Sequence, residues 1–290
     1  LVARKADAGV TVSVVLPALN EAATVANVVR EVATLHPALV DEVVVIDGGS
    51  TDGTPDIAAA AGARVHAGRT LHPDDGEPAG KGDALWRGLS ATSGDLVVFC
   101  DTDVRNFHAR FVESLLGPLL TDPQVRFVKA FYERPIAVDD VVHVGEGGRV
   151  TELTARPLLN LFWPELAGFV QPLSGECAAH RSLLEALPFF TGYGVEFGLL
   201  VDTCAFAGVD AMAQVDLGER LHRNQSLAAL SRMAYGVVQV AAQRLAAQGR
   251  LALAAGGAGA YLQFERDAAG VTGRYHDVSV VERPPLASLR

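Results

Sequence analysis

No stretch of the chain reaches the roughly 18 uninterrupted apolar residues that a membrane-spanning helix needs. The nearest, LALAAGGAGAYL (251–262), is diluted by glycine and other small residues. This predicts a soluble protein without a membrane partner. The first residues, LVARKADAGV, have too short an apolar core for a secretory signal. Cysteine is scarce: Cys100, Cys177 and Cys204 are odd in number, lie far apart in apolar segments and have no metal-ligand spacing. That pattern excludes a disulfide framework and a cysteine metal site, and suits buried thiols in a reducing cytoplasm. Cations are outnumbered, 24 Lys and Arg against 34 Asp and Glu, for a net charge of −10. Such a balance argues against nucleic acid or an anionic membrane as partner. An anionic substrate would have to be met by a few local cations or by a metal. Repeats and clean linkers are also missing.

What is present is an ordinary globular composition over 290 residues, 49% hydrophobic and 20% charged. Its first half alternates strands and helices. TVSVVLPA (11–18) is a β-branched run of the kind a parallel strand buried on both faces requires. Asn20 can cap a following helix, with Val25, Val28, Val29 and Val32 on its buried side. DEVVVIDG (41–48) reads as a second strand, then Thr54 and Pro55 open a helix that Gly62 closes. ARVH (63–66) is a short third strand before a long polar loop at 67–82. A helix over 83–91 leads to the strand DLVVFC (95–100), and Asn106 can cap the helix after it. VRFVKAFY (125–132) is another strand. Repeated βα units predict a doubly wound, mostly parallel sheet with its site at the carboxyl ends. Past residue 140 the pattern loosens: a helix at 195–208, a strand at 211–218, and a long apolar helix at 226–248 capped by Ser226. That helix needs cover, which suggests a homodimer interface.

Three strand ends carry polar motifs. After LVVFC comes DTD, with Asp101 and Asp103 one residue apart at the sheet's edge. Paired carboxylates fit either a solvated turn or a divalent cation that also holds a diphosphate. LPALNEA (16–22) closes the first strand and IDGGSTD (46–52) the second. Each fits a helix cap or a turn; together they fit a nucleoside pocket, with Asp47 accepting from base or ribose and Gly48 and Gly49 letting the backbone come close.

This ordered set resembles the nucleotide-sugar domain of GT-A glycosyltransferases. GKGDALWRGL (80–89), VKAFYERP (128–135), GGRVTEL (147–153), QPLSGE (171–176), GYGVEFGLL (192–200), HRNQ (222–225) and VVERPP (280–285) sharpen the likeness. Over nearly its whole length the chain resembles the retaining bacterial glucosyl-3-phosphoglycerate and mannosyl-3-phosphoglycerate synthases. The resemblance implies an α/β GT-A fold, with a nucleotide-sugar core at 1–140 and an integrated acceptor-binding region at 141–290. It implies transfer of a hexose from UDP-glucose or GDP-mannose to the 2-hydroxyl of 3-phospho-D-glycerate, for compatible-solute or polysaccharide synthesis.

By the same resemblance Pro17, Ala18, Leu19, Glu21, Asp47 and Gly48 line the nucleoside site, although that family carries serine where Gly48 stands. Lys81 reaches the base or diphosphate. Asp103 and His222 ligate Mg²⁺ or Mn²⁺, with Co²⁺ also accepted, and Asp101 and Thr102 contact the ribose. Gly148, Arg149, Thr151 and Asn224, helped by Arg220 or Arg223, hold the acceptor. The resemblance also implies front-face attack, with the Leu173 carbonyl steadying the developing positive charge and Glu196 orienting hydroxyls. Glu196 is equally the carboxylate that a double displacement would use. An inverting GT-A transferase and a sugar nucleotidyltransferase remain as alternatives; the latter calls for a basic, glycine-rich loop where this chain has PALNEA.

Overall fold

The computed structural model describes residues 1–289 other than 134–135, 139–140, 144–147, 222–224, 253–258 and 268–269. Chain order begins α1 (Val2–Ala8), β1 (Val12–Ala18), α2 (Val25–Ala33), β2 (Glu42–Asp47), α3 (Thr54–Ala60), β3 (Arg64–Ala67) and α4 (Gly80–Ser90). It continues β4 (Leu96–Phe99), α5 (Arg110–Thr121), β5 (Phe127–Glu133), β6 (Ile136–Val138), β7 (Val141–His143), α6 (Arg156–Phe162) and β8 (Cys177–His180). Then come α7 (Arg181–Ala186), β9 (Phe189–Phe190), α8 (Val195–Ala207), β10 (Met212–Glu219) and α9 (Leu227–Ala247). A hairpin, β11 (Ala260–Asp267) and β12 (Gly270–Asp277), and the short β13 (Glu282–Arg283) close the order.

Seven strands form the central sheet in the order β10-β5-β8-β4-β1-β2-β3. Its β-branched strands alternate their side chains between the two faces, as the period of two demands. Val15, Val44, Ile46, Val97 and Phe99 face one core with α4, α8 and α9. Val14, Leu16, Val45 and Val98 face the other, with α2 and α5. The strands predicted from 11–18, 41–48, 63–66, 95–100 and 125–132 all form, and pair in parallel except where β8 intervenes.

The chain runs β1 to β2 to β3 in one direction and then returns to place β4 on the other side of β1. This reversal opens a crevice at the carboxyl ends of β1 and β4, the usual ligand position in such sheets. Unforeseen in the sequence is β8, antiparallel to both β4 and β5. CAAH lacks a β-branched residue, so propensity gives no sign of it. Because β8 runs backwards, the segment that enters it, Leu173–Glu176, arrives at the same rim as the ends of β4 and β5.

Two predicted caps are corrected. Asn20 does not start a helix: it has φ +57, and α2 begins only at Val25. Its side chain accepts from Thr51 N–H at 2.9 Å, while its own N–H donates to Ser50 Oγ at 2.8 Å. It ties the loops after β1 and β2 together. Asn106 likewise leaves α5 uncapped, donating to the Glu219 carbonyl at 2.8 Å and accepting from Leu221 N–H at 2.8 Å. In both cases a long-range partner outcompetes the local one. Ser226 caps α9 as predicted, accepting from Ala229 N–H at 3.3 Å.

The polar loop at 67–79 is fastened from below. Arg87, fully buried on α4, donates to the carbonyls of Gly68, His72 and Gly76 at 3.2, 3.1 and 2.8 Å, and to that of Leu71. Its partner Asp83 also accepts from Arg283 Nε at 2.6 Å, and Arg283 reaches the Asp75 carbonyl. Trp86 Nε1 donates to the Pro284 carbonyl at 2.9 Å.

Candidate active site

A cavity of about 380 Å³ occupies the crevice. The end of β1 and the loop after it contribute Pro17, Ala18, Leu19 and Glu21, and the end of β2 and its loop contribute Asp47 and Gly48. The loop after β4 contributes Asp101, Thr102 and Asp103, and the first turn of α4 brings Lys81. Gly68 and Pro78 of the fastened loop form the opposite wall. Every residue that the family resemblance places against the nucleotide sugar thus lines one cavity, while Gly49, expected beside Gly48, does not. Asp47 is already partly committed, accepting from Gly49 N–H at 3.0 Å and Ser50 N–H at 3.2 Å, which shapes the turn. Gly49 needs its missing side chain, with φ +99, whereas a Cβ at Gly48 would meet only ordinary contacts. The protein itself therefore leaves room for a side chain at position 48.

The question of the paired aspartates has a direct answer: cations hold them. Lys81 Nζ pairs with Asp101 Oδ1, and with Glu196 Oε1 at 2.7 Å. Arg220 Nη2 reaches Asp101 Oδ2 at 2.9 Å, Asp103 Oδ1 at 2.7 Å and Glu176 Oε1 at 3.4 Å, while its Nη1 donates to Tyr132 Oη at 2.7 Å. Thr102 Oγ1 donates to the Pro17 carbonyl at 2.7 Å and pins this loop to β1. Burial alone would raise the Asp101 carboxyl and lower the Lys81 amine. The neighbouring charges override it, holding Asp101 well below the usual carboxylate range and Lys81 well above the usual amine range. Both stay charged throughout the neutral range.

Asp103 differs from Asp101. Its side chain is 36% exposed, and among the described residues its Oδ2 has no partner. A free carboxylate oxygen at the mouth of a cavity suits a hard divalent cation such as Mg²⁺ or Mn²⁺. Among the described residues no three His, Cys, Asp or Glu side chains converge as a cage.

Gly175 sits against this cluster, where a Cβ would fall inside contact distance of Asp101 Oδ2 and Lys81 Nζ. Both are the ends of flexible side chains. Gly175→Ala is accordingly expected to fold, with thermal unfolding within a few degrees of the parent, but to push the ion pair apart. Steady-state kinetics should show a loss of at least about tenfold in kcat/KM, since misplacements of about 1 Å carry such penalties.

Glu196 is 7% exposed at the start of α8 and lies behind Lys81, not on the cavity wall. Leu173 is half-buried just before β8 and packs against the core. Gly148, with φ +79, and Arg149 lead into the π-turn at Thr151, itself 5% exposed. Arg149 Nη2 donates at 3.1 Å to the carbonyl of Gln225, a residue that also lines the cavity. The acceptor candidates thus adjoin the donor cavity. His222, Arg223 and Asn224 lie outside the described residues. Arg220, expected near the acceptor, is instead 3% exposed and turned into the carboxylate cluster. Sequence reasoning did not assign Glu176, Tyr193 or Gln225 a role, although they belong to the motifs QPLSGE, GYGVEFGLL and HRNQ. All three thiols are free; Cys100 and Cys177 are buried as expected, Cys204 is only half-buried, and burial pushes Cys177 up to about 11.

Comparison with known proteins agrees with this architecture. Residues 13–166 match the model of glycosyl transferase family 2. Glucosyl-3-phosphoglycerate synthase of Mycobacterium tuberculosis is 49% identical over 288 residues, covering 98% of this chain and 88% of that protein. The crystal structure of mannosyl-3-phosphoglycerate synthase from Rubrobacter xylanophilus superposes with a TM-score of 0.91 at 45% identity, over 100% of this chain and 92% of that one. The M. tuberculosis synthase, in complex with Mn²⁺, UDP-glucose and phosphoglyceric acid, gives 0.86 at 47% identity, over 99% and 93%.

Proposed function

The chain belongs to glycosyl transferase family 2, and on that premise we propose that it moves a hexose from a nucleoside diphosphate sugar to the 2-hydroxyl of 3-phosphoglycerate. The observation that carries this reading is the single cavity where the nucleoside-side loops, Lys81 and the D-x-D carboxylates meet, with Arg149 alongside. A net charge of −10 is no obstacle, because Lys81, Arg149 and a divalent cation concentrate positive charge where the anions bind. Residues 1–140 supply the donor side and 141–290 the acceptor side, but β8 and β10 of the second part complete the sheet of the first.

In this reading Asp103 holds Mg²⁺ or Mn²⁺, with His222 as its second protein ligand; the cation supplies electrophilic stabilisation of the departing diphosphate. Lys81 meets the same diphosphate, and Arg149, Thr151 and Asn224 hold the acceptor's phosphate and carboxylate. The bond from the anomeric carbon to the diphosphate oxygen breaks, and a bond to the glycerate 2-oxygen forms on the same face. The hydroxyl proton passes to the departing phosphate, so configuration is retained. Glu196, paired to Lys81 behind the cavity wall, supports this route over a double displacement. Glu196→Gln is expected to keep measurable turnover and to show no covalent adduct by intact-protein mass spectrometry. A trapped glycosyl-enzyme would replace the front-face route.

The test of function is a panel of UDP-glucose and GDP-mannose against 3-phosphoglycerate with Mg²⁺ and Mn²⁺, with the product's anomeric proton read by NMR. An α-linked product from one donor supports the reading; no transfer from either, or a β-linked product, overturns it. Among the described residues no helix is long and apolar enough to cross a membrane. Buried free thiols agree with a cytoplasmic setting, and the outer face of α9, with Leu227 and Val238 exposed, with a homodimer.

A further inference from the structure

A second cavity, of about 370 Å³, lies on the far side of Tyr193 and Gln225, the two residues it shares with the first. Its volume falls within the range of roughly 300–1,000 Å³ usual for small-ligand sites. Its walls come from α9 and from the segment that follows β12. Arg232 is tethered by one bond, Nη1 to Gln263 Oε1 at 2.8 Å. Among the described residues its other N–H groups have no partner, and neither do the Tyr193 hydroxyl or the Gln225 side-chain amide. Opposite them, Asp277 Oδ1 accepts from Ser279 N–H at 2.9 Å and Ser279 Oγ at 2.6 Å, and Oδ2 has no partner among the described residues. Met233 and Ala229 give the site an apolar patch.

Tyr193, Gln225 and Asp277 are exposed, so water serves these groups in the free protein, and a ligand with hydroxyls placed alike can take that water's place. This set mixes donors and acceptors around an aromatic ring. Hydroxyl groups need both kinds of partner, and a pyranose presents an apolar face of C–H bonds that an aromatic ring can cover. Arg232, the one cation among the described wall residues, adds a preference for a carboxylate or phosphate on the same ligand. A nucleotide is a poorer match, since the described walls offer one cation and no second to share a diphosphate's charge.

We propose that this cavity is a second subsite, one that takes the hexosyl end of an anionic glycoside, the chemical class that the transfer itself makes. The inference rests on the functional reading above, because that reading supplies the glycoside. Tyr193 and Gln225 then form a partition with a sugar-binding face on each side. A glycosylated glycerate can occupy the second side while nucleotide and acceptor fill the first.

The probe is synthetic 2-O-α-D-glucosyl-D-glycerate, titrated by calorimetry and saturation-transfer NMR into protein saturated with Mn²⁺, UDP or GDP, and 3-phosphoglycerate. The expected result is saturable binding that survives this saturation. It should fall at least about tenfold in Arg232→Ala, the scale of a lost hydrogen bond to a charged group. Ala229→Trp, which fills the cavity from α9, should abolish it, with initial transfer rates unchanged in both variants. Absence of binding overturns the inference, as does binding displaced by nucleotide or acceptor, or binding indifferent to both substitutions. Transfer to 3-phosphoglycerate by the parent is measured in the same samples. If that fails, the functional reading fails; if it succeeds without glycoside binding, only the second subsite is lost.

Discussion

Asp103→Ala is expected to reduce kcat/KM at least about a hundredfold, the scale seen when one preorganised group facing developing charge is removed. The fold should survive. The side chain is 36% exposed, and Arg220 keeps Asp101, Glu176 and Tyr132 when Asp103 is lost. The measurement that isolates the cause is calorimetry of UDP and GDP with and without Mn²⁺. In the parent, adding Mn²⁺ should tighten the nucleotide; in the variant the two titrations should coincide. A variant that keeps the Mn²⁺ effect, or turns over like the parent, would remove Asp103 from the metal site.

Lys81→Met should be still more damaging, because Lys81 serves stability and chemistry together. Its amine bridges two buried carboxylates, Asp101 and Glu196. Removing one partner of a buried pair costs about 3–5 kcal/mol. The pH dependence has a definite sign. Asp101 is depressed in the folded parent, so its pairing stabilises the fold above the unfolded carboxylate value of about 3.9 and is lost as pH falls towards the folded one. In the variant Asp101 is under-neutralised and takes up a proton more readily. Urea denaturation should therefore show the largest parent–variant gap near pH 7 and a smaller gap in acid. Turnover should fall by more than the hundredfold scale above, and Lys81→Arg should restore stability ahead of activity, because a planar fork cannot place its charge where a compact ammonium does. Equal gaps at the two pH values would mean that the pair is not under electrostatic load.

These predictions concern residues of unequal visibility in the sequence. The donor side is legible because parallel strands need β-branched runs, as in SVV and VVVI, and each ends in a polar motif at the same sheet edge. The carboxylate cluster is legible only in part. Asp101 and Asp103 announce themselves by spacing, but Arg220 sits 117 residues beyond Asp103 and Glu176 lies in a segment without strand propensity. Distance along the chain hides such partners. The capping rules fail at Asn20 and Asn106 for a related reason: a side chain that can cap locally can also bridge two loops. The hairpin of β11 and β12 escapes notice because the face that β11 turns towards α9 carries Tyr261 and Gln263, which meet it through polar groups and leave no apolar alternation. The apolar residues of α9 divide between the chain's own core, which takes Val237, Val240, Ala241 and Leu245, and an exposed face with Leu227 and Val238, a division that the sequence pattern does not make.

The ladder of carbonyls on Arg87 has a consequence for assembly. One wall of the donor cavity, at Gly68 and Pro78, is held by a helix whose own aspartate is braced by Arg283, 200 positions downstream. During synthesis that brace emerges long after the wall it supports. The nucleotide end is thus among the last parts of the molecule to mature, although it is encoded among the first, and faults introduced around residues 282–284 should surface as a malformed nucleotide pocket at the opposite end of the sequence.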